Sequence, residues 1–112
     1  MSLQAITARI AAAEAAARDL AGSQQKLGQA LLGQAQADKA LASFAEAVAT
    51  LRDLAQKDDS NSALQLDLSY ALIGMGDAKA ALADAAAAAE FYAEALQRRR
   101  DLVATDAANI DW

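Results

Sequence analysis

An all-α chain of antiparallel helix hairpins follows from three observations. Alanine, the strongest helix former, supplies 34 of the 112 residues, and proline is absent. Strand-favouring residues are scarce, with two valines and five aromatics. The chain also repeats itself without a gap at an offset of 48: "RDLAQKDDSN" (Arg52 to Asn61) returns as "RDLVATDAAN" (Arg100 to Asn109). Non-alanine matches extend the register, among them Asp19 with Asp67, Leu20 with Leu68, Gly28 with Gly76 and Glu46 with Glu94. Fixed-period similarity of this length marks a stacked repeat, and the chain length suits one domain.

The elements can be taken in order. Residues 1–14 form an N-terminal helical piece. By the repeat register, residues 1–12 fall where the tail of an earlier second helix would lie, with Leu3 opposite Leu51 and Ile6 opposite Leu54. Repeat one spans 15–60, with a first helix from about Ala15 to Ala35 and a second from about Asp38 to Lys57. Arg52-Asp53-Leu54 closes that second helix with its Leu inward. The turn follows, and Asn61 or Ser62 caps the next helix.

Repeat two spans 61–108. Its first helix carries an apolar stripe of Leu64, Leu68, Leu72, Met75 and Leu82 and ends near Ala83. Asp84 can cap the second, which carries Ala88, Tyr92, Ala95, Leu96, Leu102 and Val103. No Gly or Pro lies between Ala78 and Arg100, so one helix from Ser62 to about Thr105, exchanged between two chains, is a competing reading. The cap and the repeat phase favour the turn. Residues 109–112 read as the start of a following helix capped by Asn109.

Composition excludes several function classes. The net charge of −5 opposes nucleic-acid binding. Neither Cys nor His is present, which removes thiol chemistry, the commonest general base and the commonest metal ligand. The acidic pair Asp58/Asp59 falls in an exposed turn, a poor setting for acid–base catalysis. No enzyme, cofactor or metal site is expected. Neither a membrane span nor a secretory leader is legible, so a cytoplasmic protein is expected. Arg98, Arg99 and Arg100 are the only basic cluster. They suit a helix C-terminus, with Glu94 placed to pair with Arg98, or else an anion site.

The stretch "LGQALLGQAQADKALASFAEA" (Leu27 to Ala47) resembles a tetratricopeptide repeat. Leu27, Gly28, Ala40, Phe44 and Ala47 follow the spacing of that family, and Met75, Gly76, Ala88, Tyr92 and Ala95 follow it again. The family period is about 34, so the longer period here is similar to a bacterial long-helix variant. Ala35 and Ala83 stand where the family usually has Gly between paired helices.

The resemblance implies a fragment of a right-handed α-solenoid whose ten motif residues pack the repeats together. It implies a non-catalytic scaffold for protein–protein interaction, with the first helix of each pair facing the ligand. The ligand-facing positions are then Gln25, Gln29, Leu32 and Gly33 in repeat one, with Tyr70, Ile73, Asp77, Ala80 and Ala81 in repeat two. Gln29 and Asp77 occupy places where carboxylate-clamping relatives use Asn. A protein or peptide partner is expected, with no nucleic acid and no membrane. The alternative is a self-assembly module, stacking end to end or forming a homo-dimer by helix exchange.

Overall fold

The computed structural model describes residues 1–105, so the expected helix start at 109–112 lies outside the described residues. Among the described residues four helices follow in order: α1 (Leu3–Gly33), α2 (Ala37–Lys57), α3 (Ser62–Ala81) and α4 (Ala85–Thr105). No strand occurs among the described residues, and no helix there is long and apolar enough to cross a membrane. Each helix is joined to the next by a short turn and packs against it, so successive helices run antiparallel. Helix α3 also touches α1 and thus packs against all the others.

The expected separation of residues 1–14 from the first helix is not present. Helix α1 is continuous over 31 residues, with the Ser2 hydroxyl accepting a hydrogen bond from the Ala5 amide at 3.1 Å. The physical reason is local. From Leu3 to Ala21 the chain contains neither Gly nor Pro, and helix propensity decides where no other helix packs against it. Helix α1 therefore outruns the 21-residue α2 by ten residues, or about 15 Å. Leu3, Ile6 and Ile10 lie exposed on this overhang.

The two hairpin turns are built alike, 48 residues apart. The Gln36 amide donates to the Leu31 carbonyl and the Ala35 amide to that of Leu32. Asp84 and Ala83 donate in the same way to Lys79 and Ala80. This is the paired bonding of a Schellman C-cap, which needs a residue in the left-handed region. Here Ala35 (φ 60°) and Ala83 (φ 63°) adopt it without being glycine. The Asp84 carboxylate then accepts from the Ala87 amide at 3.1 Å, so the chain turns at this point instead of running on as one helix. Between α2 and α3, Asn61 accepts from the Leu64 amide at 3.2 Å.

The core is thin but continuous. Leu51, Leu54, Leu64, Leu68 and Leu72 form the larger cluster with small residues of all four helices. Phe44 forms the second with Ala40 and Ala78, and its ring lies between two glycines. A Cβ on Gly28 of α1 would sit 2.8 Å from that ring, and one on Gly74 of α3 closer still. Tyr92 packs on Gly76 in the same way, where a Cβ would meet the ring at 2.5 Å.

Several positions depart from expectation. Gly28, Ala40, Phe44 and Ala47 are buried, as are Gly76, Ala88 and Ala95, but Leu27 is 53% exposed. Its counterpart Met75 is half-buried because α2 flanks that side of α3, whereas among the described residues no helix flanks the same side of α1. Leu82, Leu96 and Val103, expected inside, are also exposed, and Tyr92 is covered on one face only.

Candidate functional site

Helices α1 and α3 place the expected ligand-facing residues. Steps of three and four along a helix put Gln25, Gln29 and Leu32 on one side of α1, and Tyr70, Ile73 and Asp77 on one side of α3. Gln25 and Gln29 line a cleft of about 300 Å³ together with Arg18, Lys26 and Asp67. Leu51 of α2 contributes to its floor. Arg18 Nε donates to Asp67 Oδ2 at 2.8 Å across this cleft, tying α1 to α3.

The remaining positions do not share that cleft. Tyr70 is exposed and lies under the Arg99 guanidinium, 4.5 Å from its ring centroid, a cation–π geometry. Arg99 Nε also donates to Ser69 Oγ at 3.0 Å, fixing the plate of charge over the ring. Asp77 is exposed, but its carboxylate accepts the Tyr92 hydroxyl. That bond, followed by partial burial and the nearby charge, pushes the Tyr92 hydroxyl up to about 12. Ile73 is half-buried against the larger core cluster and Leu32 against the Phe44 cluster, so each offers only an edge. Gly33, Ala80 and Ala81 are exposed at helix ends beside the turns.

Besides the Arg18–Asp67 pair, sequence reading missed two features. One is a cleft of about 1050 Å³ flanking the N-terminal half of α1, closed on the other side by the α2–α3 turn. Ile10, Glu14, Asp19, Lys57 and Asn61 help to line it. The other is an ion pair between helices that share no backbone contact. Arg52 of α2 donates through both terminal nitrogens to Glu94 of α4, each at 2.7 Å. Arg98 Nε reaches the same carboxylate at 3.1 Å, the one pairing in this region that residue spacing had indicated. The Arg52 hydrogen bond, then Arg98, hold the Glu94 carboxyl below its ordinary range despite partial burial. Glu94 in turn raises Arg52. This forked pair is geometrically specific and fixes the register of the two hairpins.

Among the described residues, no group of three side chains gathers as a metal site would require. The arrangement offers a shallow polar cleft, one stacked aromatic and two cross-helix ion pairs. No family model matches the chain, and no curated protein or solved structure matches it either.

Proposed function

We propose that the chain is a non-catalytic, cytoplasmic scaffold for protein–protein interaction, built as two tetratricopeptide-like hairpins stacked in a right-handed solenoid. It binds an extended peptide or a partner helix along the α1/α3 face. The observation that carries the reading is the repetition of one built unit: Ala35 and Ala83 close identical turns, while Gly28–Phe44 and Gly76–Tyr92 form matching close approaches. Repeated units of this kind present successive first helices on one face.

That face has the chemistry of peptide recognition. Gln25 and Gln29 supply amide donors and acceptors for main-chain groups, and Tyr70 with Arg99 supplies a flat surface carrying positive charge. Fluorescence anisotropy with a panel of extended and helical peptides tests the proposal. Gln25→Arg, Gln29→Arg and Tyr70→Ala are expected to weaken the best ligand by about tenfold each, a loss of about 1.4 kcal/mol, without altering helicity. Binding indifferent to all three substitutions would remove this face from consideration.

A further inference from the structure

We propose that the chain stacks head to tail on copies of itself, with α4 of one copy packing on α1 of the next as α2 packs on α3 within the chain. The proposal rests on the same two-hairpin repeat but uses a different surface.

Inside the chain, α2 presents a row of Phe44, Val48, Leu51 and Ala55, all buried. Helix α3 covers it with Leu64, Leu68, Ala71 and Met75, of which only Met75 is not fully buried. Sliding the first row by 48 gives Tyr92, Leu96, Arg99 and Val103 on α4. Leu96 is 50% exposed where Val48 is 7%. Sliding the second row back by 48 gives Ala16, Leu20, Ser23 and Leu27 on α1, all exposed. Leu20 is 57% exposed where Leu68 is 0%. Among the described residues, each end thus carries one half of an interface whose other half lies at the opposite end, uncovered except at Arg99, which is half-buried over Tyr70.

The charges follow the same rule. The forked Arg52–Glu94 pair joins α2 to α4. The same shift places Arg100 on α4 against Glu46 on α2 of the next copy. Both are exposed. Arg100 makes no ion pair among the described residues, and Glu46 accepts only from the Gln24 amide. A second copy therefore supplies both the apolar row and the carboxylate that this face lacks, which singles it out over a foreign helix.

Two positions fit less well. Arg99, half-buried and bonded to Ser69, takes the place of the wholly buried Leu51. Lys26 takes the place of Gly74, the residue that lets α3 approach Phe44. The junction between copies is accordingly looser than the internal one, with affinity in the micromolar to millimolar range. Because the two surfaces differ, association is heterologous, and repeating the internal hairpin-to-hairpin step from copy to copy builds an open chain and not a closed dimer.

Sedimentation velocity of the full chain, from micromolar to millimolar concentration, tests this. The weight-average coefficient is expected to rise without a plateau. Arg100→Glu and Glu46→Arg, both on the surface, should each lower the association constant on the order of tenfold. An equimolar mixture of the two variants should associate again. Opposite charges then meet at one junction, and the native pair stands at the alternate one. Leu20→Glu should weaken association with no rescue by either variant, and circular dichroism should show helicity unchanged throughout. A monomer at every concentration, a dimer that plateaus, or a mixture no better than its components would each overturn the proposal. Arg99 belongs to both faces, but the substituted residues do not: Gln25, Gln29 and Tyr70 lie off these rows, and Leu20, Glu46 and Arg100 lie off the peptide face, so this failure and a failure of peptide binding are separate results.

Discussion

Replacing Ala83 by glycine should stabilise the protein, against the ordinary rule for glycine in an alanine-rich helical chain. Ala83 closes the α3–α4 turn at φ 63°. An L-residue there bears a steric cost of about 1–2 kcal/mol. Glycine removes that cost but loses about 0.5–1 kcal/mol more backbone entropy on folding. The difference leaves a net gain of about 0.5–1 kcal/mol. Ala35 at φ 60° should respond equally. The two turns share no hydrogen bond, so the double variant should gain about 1–2 kcal/mol. For a chain of this length that is a rise in Tm of about 4–8 °C. Urea titration followed by circular dichroism gives the free energies. Ala93→Gly, at an exposed position inside α4, is the control and should cost about 1 kcal/mol. If Ala83→Gly were as damaging as Ala93→Gly, residue 83 would have to be helical, as in one unbroken α3–α4 helix, and the reasoning would fail.

Three further outcomes are expected. Gly22→Ala meets nothing within 4 Å and should stabilise α1 by about 1 kcal/mol, whereas Gly74→Ala drives a Cβ into the Phe44 ring and should cost about 1–3 kcal/mol; equal effects in chemical denaturation would refute the close approach. Glu94→Gln should cost about 1 kcal/mol at neutral pH, a figure kept small because the Arg52 and Glu94 side chains are 38% and 32% exposed. The carboxyl is depressed in the folded state, so its contribution is present above the ordinary value of 4.5 and fades as pH falls through the lower folded value; a variant equally destabilised at acid pH would contradict this. Tyr92 is raised from 10.0 to about 12, so its bond to Asp77 stabilises below 10.0 and is lost as pH rises toward 12. Tyrosinate absorbance should show one late titration that moves back toward 10.0 in Asp77→Ala, and an unmoved titration would disprove the bond.

How much of this was legible in the sequence depended on whether a residue acts within its own helix or between helices. Asn61 and Asp84 cap the helices that follow them, and a cap needs only local spacing. Glu94 and Arg98 pair one turn apart for the same reason. The resemblance singled out Gly28, Phe44, Gly76 and Tyr92 as packing positions, and the structure pairs each glycine with the aromatic ring of its own hairpin. What escaped were contacts set by how the hairpins lie against each other. Gly74 reaches Phe44 from a different hairpin, and Arg52–Glu94 and Arg18–Asp67 join residues 42 and 49 positions apart. Nothing in a linear pattern states that register. Residues 1–12 misled for the opposite reason: their register with the α2 tail suggested a separate piece, but uninterrupted helix formers carried α1 straight through from Leu3. Of the ligand-facing set that the resemblance implied, Gln25 and Gln29 line one cleft, while Tyr92 engages Asp77 and Ile73 and Leu32 turn half inward, contacts that no linear pattern states.

The position of Phe44 determines where this polypeptide can be divided. Its ring belongs sterically to both hairpins, so the loop at 58–61 is a joint in the backbone but not a seam in the solid. Cutting there would leave α2 with its ring bare on one side and α3 with a glycine notch facing water. The smallest piece that keeps every wall of that niche is α1 through α3, one helix more than the unit the sequence counts by.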